Sequence, residues 1–385
     1  MSDFWQETIS SAIRFRHELH QHPELGWQEN STAERIRAML NQLNIPWRPC
    51  AHTGTLATIN PNSQGPHIAL RGDIDALPIH EKTNSPYQST HSGCMHACGH
   101  DGHTATLMAA VKWLKQYEHT LKGPVTFIFQ PAEEGGHGAR EMIAEGALDG
   151  IDCIYGWHNW PAIPFGEMVC PEGLIMCGNG TFTITVKGQG GHASQPDNCR
   201  DPILAASAIT LALQQITSRR ISPTQSVVVS VTSIDAPSGA TVIPEQAVLG
   251  GSIRIPNEAL REQVNQWITE ITEATARSYD VACDIQFETR YQATINHAIP
   301  AQTVRSTWQQ LYGEHALNEA WASPIMASED FSYYLRETPG AFALIGADDG
   351  DNHHIPCHSA YYDFNDRLIE KVTRLFSQLV GAPLP

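Results

Sequence analysis

The apolar pattern of this chain changes rhythm near Gly178 and changes back near Tyr291, and that double switch limits the folds open to it. Before Gly178, helical stretches alternate with short, wholly apolar strands. Residues from Phe4 to Leu19 and from Ser31 to Leu43 read as amphipathic helices, the second with Ser31 as N-cap and Glu34 three positions on. "HIALRGDIDALPI" reads as an apolar strand entering a loop at Arg71–Asp75. The block from His103 to Tyr117 reads as a helix with an apolar stripe, and Val125 to Phe129 as a buried strand that ends in the polar loop "QPAEEG". Apolar strands interleaved with helices predict an α/β sheet covered on both faces, with its sites in the loops at the strand ends.

After Gly178 the pattern becomes alternating. "GTFTITVKG" sets Phe182, Ile184 and Val186 on one face, as a half-buried strand should. A helix from Asp201 to Arg219, the strands "SVVVSVTSI" and "AVLGGSIRI", a helix from Glu258 to Tyr279 and the strand "VACDIQFETRY" complete a β-α-β-β-α-β order. That order predicts a ferredoxin-like antiparallel sheet with two helices on one face. From Tyr291 the first rhythm resumes, with helix "AIPAQTVRSTWQQLYG", strand "GAFALIG" and a final helix from Asp366 to Val380. The expectation is a two-domain α/β protein: a catalytic domain over 1–177 and 291–385, and an inserted domain over 178–290. A length of 385 residues suits two cores better than one.

Charge narrows the partners. Forty-one acidic residues against 24 Lys and Arg give a formal charge of −17 and no basic run, which speaks against nucleic acid. The start, "MSDFWQETISSAIRFRHEL", lacks the apolar core of a signal peptide, and no stretch is long enough to span a bilayer. Nine cysteines without framework spacing predict reduced thiols and a cytoplasmic setting.

The chemistry concentrates in "MHACGHDGHTA", where His96, Cys98, His100 and His103 lie two or three apart with Asp101 among them. Such density suits a metal cage or a nucleophile site; the plain alternative is an ordinary turn entering a helix. Four further segments carry carboxylates or histidines. "RGDIDALP" puts Asp73 and Asp75 on one face of an extended chain, and "QPAEEGG" offers Glu133 and Glu134 after a buried strand. "YGWHNWP" holds His158, and "HHIPCHSAYYDFND" holds His358. Any single pair fits a solvated loop. Five such segments at the ends of apolar strands argue for one common site.

Taken together, "RGDIDALPI", "MHACGHDGHTA", "QPAEEG", "GWHNWP", "GGHAS", "SEDFSYYL" and "YYDFND" resemble the aminoacylase/carboxypeptidase superfamily of metallopeptidases. The likeness is to its amidohydrolase branch of hippurate hydrolases, auxin-conjugate hydrolases and N-acyl-amino-acid deacetylases, over nearly the whole chain. The resemblance implies two divalent metals per subunit, zinc or manganese first, with cobalt or nickel also suited to the donors. It makes Cys98 the bridge, with His100, Glu134, His158 and His358 as terminal ligands. Glu133 becomes the general base, and Asp75 joins the catalytic set by orienting a metal histidine. His96 and His103 are expected to support the loop without touching an ion.

For the inserted domain, the resemblance implies a lid and dimerisation role. His192 of "GGHAS" would reach the reacting oxyanion, across a homodimer in many relatives. Arg254 in "GGSIRIP" would pair the carboxylate of an amino-acid substrate, with Asn296 and Glu329 close by. Thr241 stands where relatives have a substrate-holding asparagine, Asp197 where a histidine is common, and "CHSAYY" lacks a proline often found after the ligand histidine. The implied substrate is a small N-acyl amino acid, N-acetyl first, cleaved by activated water. Rival readings are a dipeptidase or carboxypeptidase, a non-catalytic binding protein of the same fold, and a cysteine hydrolase built on Cys98. The last would leave Glu134, His158 and His358 without a task.

Overall fold

The computed structural model describes residues 3–321 and 323–385, and the chain divides into two compact units. The first comprises Met1–Ile175, Ile295–Ala322 and Asp330–Pro385; the second comprises Met176–Thr294 and Ser323–Glu329.

Seven strands form the sheet of the first unit: β1 (Trp47–Cys50), β2 (Gly54–Ile59), β3 (Ile68–Asp73), β4 (Val125–Gln130), β5 (Cys153–Pro164), β6 (Met168–Val169) and β7 (Gly340–Asp348). Their spatial order is β1-β2-β4-β3-β5-β7-β6. The centre is parallel, with β3 beside β4 and β5, and β5 beside β7; the margins are antiparallel. Every residue of β4 is buried, and of β7 only Asp348 is not, so both faces of the sheet are covered, as their apolar runs require. Five long helices accompany it: α1 (Asp3–Gln21), α2 (Asn30–Gln42), α3 (His100–Gln116), α4 (Ala298–Tyr312) and α5 (Arg367–Leu379). In α5 the buried Leu368, Ile369, Val372, Leu375 and Phe376 recur at helical spacing, while α3 is buried on nearly every side. Trp5, Phe15 and Leu19 of α1 join Leu107, Val111 and Trp113 of α3 in the core.

Two helix starts differ from the sequence reading. Ser31 does not cap α2, which begins at Asn30; the side chain of Glu24 accepts the Ser31 and Thr32 amides at 3.1 and 2.8 Å instead. A carboxylate brought back by a turn satisfies the amides left over at a helix start, so the capping box goes unused. Helix α3 begins at His100 rather than near His103, which places both histidines in its first turn.

The second unit holds four antiparallel strands, in the order Val228–Asp235, Gln246–Ile255, Gly178–Lys187, Ala282–Thr289. That is the ferredoxin-like arrangement. Phe182, Ile184 and Val186 share one buried cluster with Ala205, Ile209 and Leu213 of helix Pro202–Leu213 and with Val264 and Ile268 of helix Glu258–Ser278. Asp201 caps the first of these helices, accepting the Ile203 amide at 2.8 Å. Residues 323–329 join this unit because the Cys177 amide donates to the Ile325 carbonyl at 3.0 Å and Arg254 donates to Ser328 at 3.1 Å. Among the described residues, no helix is long and apolar enough to cross a membrane.

Candidate metal centre

The motif "MHACGHDGHTA" folds as a tight loop entering α3. Gly99 is the residue before the helix and holds φ 94°, and a Cβ there would lie 2.3 Å from Asn159 Oδ1 and 2.6 Å from Tyr362 Oη. Only glycine combines that backbone with that crowding. One residue on, His100 is buried. Its Nδ1 meets the Asp75 carbonyl at 3.0 Å and Asp75 Oδ1 at 3.1 Å, whereas its Nε2 is buried with no hydrogen-bond partner. His158, at the end of the buried part of β5, is held the same way: its Nδ1 meets the Asn159 carbonyl at 2.6 Å and its Nε2 lies 3.3 Å from Cys98 Sγ. A histidine anchored through Nδ1–H to a carbonyl keeps a lone pair on Nε2, the form that binds a metal.

From other loops come Glu134 and His358. His358 adopts φ 68°, its amide donates to the Ala97 carbonyl at 2.7 Å, and its Nε2 lies 3.1 Å from Glu134 Oε1. Asp75 ties the two halves, because its Oδ2 accepts the Glu134 amide at 2.9 Å while its Oδ1 faces His100. Two ligand sets therefore share one thiol. Cys98, His100 and His158 form one and Cys98, Glu134 and His358 the other, each with donor atoms within 4.8 Å of one another. Glu133 joins His100 and Glu134 in a third such set. It is buried, and its Oε1 accepts the Asp330 amide at 3.2 Å.

The electrostatics ask for added positive charge. The Cys98 thiol is raised well above its ordinary value by the Cys357 thiol hydrogen-bonded to it, then by burial, then by the charges of Glu134 and Glu133. Burial would lower His100, yet the charge of Asp73, the hydrogen bond and charge of Asp75, and Glu134 together raise it well above its usual value. Burial would raise Glu134, but His358 and His100 hold it low. A buried imidazole nitrogen with no hydrogen bond, 3.6 Å from Asp73 Oδ2, a thiol that resists ionising and a ring of carboxylates fit divalent cations.

His103 and His96 differ from His100 and His158. His103 spends Nδ1 on Asp73 at 2.7 Å and Nε2 on Asn159 at 2.8 Å. His96 is buried, with neither ring nitrogen hydrogen-bonded, and burial lowers it to about 4. The remaining expected site residues have other surroundings. Asn296 spends its amide on the Phe342 backbone, accepting at 2.7 Å and donating at 2.9 Å, and on the Pro171 carbonyl at 3.0 Å. The sequence reading expected it near substrate; every amide atom here serves a strand. In the second unit, His192 is exposed and its Nδ1 is met by Ser194 Oγ at 2.8 Å. It pairs opposite Val242, with the Thr241 carbonyl accepting the Ala193 amide at 2.9 Å, so His192 and Thr241 are neighbours. Arg254 is half-buried and Glu329 buried.

Supports absent from the sequence reading now appear. Arg71 donates to Asp73 at 2.6 Å, to Asp330 at 3.1 Å and to Gln130 at 2.8 Å, all buried. Arg16 and His20 of α1 converge on Asp101 at 2.9 and 2.7 Å. A charged residue inside an apolar strand was the available signal for Arg71; Arg16 and His20 looked like the polar face of an ordinary helix.

The description "Peptidase family M20/M25/M40" matches residues 69–382. The chain is 41% identical over 344 residues to the N-acetyl-L-cysteine deacetylase of Bacillus subtilis (strain 168), covering 89% of this chain and 82% of that protein. It is 33% identical over 369 residues to the hippurate hydrolase of Campylobacter jejuni, covering 95% and 94%. The solved structure of a Bacillus subtilis dinuclear metal binding peptidase from the M20 family matches at TM-score 0.82 and 32% identity, over 98% of this chain and all of that one. With matches spanning both units, the chain belongs to peptidase family M20/M25/M40 and is a hydrolytic enzyme.

Proposed function

We propose that this enzyme removes the acyl group, acetyl before others, from N-acyl amino acids. The observation that carries the reading is the pair of ligand sets sharing Cys98, with the buried Glu133 carboxylate beside them. The named activities of the deacetylase and hippurate hydrolase relatives support the substrate class. Cys98, His100, His158, Glu134 and His358 would hold two divalent ions, zinc or manganese, Cys98 being common to both candidate sets. When bound, such a pair supplies Lewis acidity, lowering the pKa of water and polarising an amide carbonyl.

The chain's own residues do the rest. Glu133, one residue from Glu134 and grouped with it and His100, takes a proton from the attacking water and passes it to the departing amine nitrogen. Asp75 fixes the His100 tautomer and the Glu134 backbone together. In the second unit, Arg254 would offer a guanidinium for the substrate carboxylate, Glu329 and Thr241 would bear on substrate choice, and His192 would donate to the oxyanion. A cysteine-hydrolase mechanism is disfavoured, because a thiol held well above its ordinary value is a poor nucleophile at neutral pH.

A homodimer completes the proposal. Val228–Asp235 is an edge strand, and Leu204 and Leu211 on helix Pro202–Leu213 are 56% and 75% exposed. An open edge beside bare leucines invites a second copy.

The test is a panel of N-acetyl, N-benzoyl and N-indolylacetyl amino acids against dipeptides, on enzyme refilled with zinc or manganese, reading free amine. Turnover of N-acyl amino acids well above dipeptides is expected. Preference for dipeptides would replace deacylase with dipeptidase.

A further inference from the structure

Glu29 is a buried carboxylate that the reaction as described leaves unused. It lies in "HPELGWQEN", just before α2, and is fully buried. Its Oε2 accepts the Thr53 hydroxyl at 2.7 Å, and its Oε1 accepts the Ala132 amide at 2.9 Å. Ala132 is no ordinary anchor. It holds φ 50°, in the left-handed region that non-glycine residues seldom occupy, and it immediately precedes Glu133 and Glu134.

Three further contacts surround that residue. The Ala132 carbonyl accepts the Gly138 amide at 3.1 Å. A Cβ at Gly26 would sit 3.2 Å from Ala132 Cα and 3.5 Å from Asp75 Oδ2, and one at Gly136 would sit 2.6 Å from Ala132 Cβ. Neighbouring chain is thus glycine where Ala132 needs room. The Glu134 amide, two residues on, is held by Asp75 at 2.9 Å. The loop is gripped by carboxylates at 132 and at 134, with Glu133 between the two grips.

We propose that Glu29 is a positioning residue for hydrolysis: it clamps the left-handed Ala132 backbone and thereby aims the loop that presents Glu133 and Glu134. The inference rests on the roles proposed above for those two glutamates. Burial, then the nearby charge of Asp75, raises the Glu29 carboxyl to about 7. An acid kept in such an unfavourable place is one whose removal should matter to the site.

The test compares Glu29→Ala, Glu29→Gln, Glu24→Ala and Glu133→Gln in metal-refilled enzyme, measuring kcat, KM and bound metal. Glu29→Ala should lose about 10–100-fold in kcat, since small misplacements of reacting groups cost rates of that order. KM and bound metal should stay within about twofold, the signature of a step-specific loss. Glu29→Gln keeps an oxygen for the Ala132 amide and should hold kcat within about threefold. Glu24→Ala removes the α2 cap from the same segment and should lower melting temperature without lowering kcat. If Glu29→Ala does not fold, Gly136→Ala presses on Ala132 from the other side and should reproduce the kcat loss at unchanged KM. Normal kcat in a folded, metal-replete Glu29→Ala or Gly136→Ala overturns the proposal, as does an equal loss in Glu29→Gln. An active Glu133→Gln would instead overturn the base assignment, leaving the Glu29 result to be read on its own.

Discussion

Cys98 can serve two ions only by giving up its proton, which the Cys357 thiol, burial and the charges of Glu134 and Glu133 oppose. Chelation should therefore abolish turnover and added zinc or manganese restore it; activity that survives complete metal removal would sink the proposed cage. Glu133→Gln should keep both metals and lose about 10²–10⁴-fold in kcat, because an amide cannot take the proton from water. Replacing His100 or Cys98 should lower bound metal, whereas His103→Ala should leave stoichiometry unchanged and cost about 1–3 kcal/mol by removing the partner of Asp73 Oδ1, Arg71 still holding Oδ2. Elemental analysis and thermal melts on the same preparations separate these outcomes. Glu29 adds a pH signature. Its folded pKa is raised from 4.5 to about 7, so the folded state binds the extra proton and stability falls as pH climbs through that window. Glu29→Gln should flatten that fall, seen as denaturation midpoints that converge with wild type at pH 4 and exceed it at pH 8.

Among the elements, α1 matters to the site without reaching it. Arg16 and Asp101 are both wholly buried, and Asp101 adjoins the candidate ligand His100. Arg16→Met would leave the Asp101 charge to His20 alone, at a cost of about 3–5 kcal/mol by precedent for broken buried pairs. Urea unfolding checks the figure; a loss under about 1 kcal/mol would mean that His20 alone suffices. The start of α3 illustrates what pattern reading misses at an element boundary. The apolar stripe marked the helix from His103, but its true start is set by Gly99 and by the crowding of Asn159 and Tyr362, which no local pattern records. The α2 start was misplaced for a similar reason, its cap being the returning Glu24 side chain.

For the whole molecule, assembly is the open test. Leu211→Glu on the exposed face of helix Pro202–Leu213 should convert a dimer to a monomer in light scattering while leaving the monomer folded. A variant that stays dimeric would place the interface elsewhere. If His192 acts across subunits, mixing inactive Glu133→Gln and His192→Ala chains should restore part of the activity once subunits exchange. A mixture that stays dead despite proven exchange confines His192 to its own chain.

The longer helices, strands β3, β4 and β7, the change of rhythm at Gly178 and the segments rich in ligand-type side chains were legible in the sequence, whereas β1, β2, β5 and β6 were not. Periodicity reports how each stretch is buried, and buried pairs of carboxylates and histidines are chemically conspicuous wherever they stand. Roles within those segments were another matter. By residue type and spacing alone His96, His100 and His103 look alike in "MHACGHDGHTA"; the resemblance singles out His100, and the tertiary contacts give the physical difference. Asp75 takes Nδ1 of His100 and leaves Nε2 without a hydrogen bond, Asp73 and Asn159 occupy both nitrogens of His103, and His96 meets no hydrogen-bond partner. Glu29 and Arg16 were silent in sequence because their partners lie more than eighty residues away, at Ala132 and Asp101. A hydrogen bond is a short-range, directional contact, so which atom remains free for an ion is decided where distant segments meet.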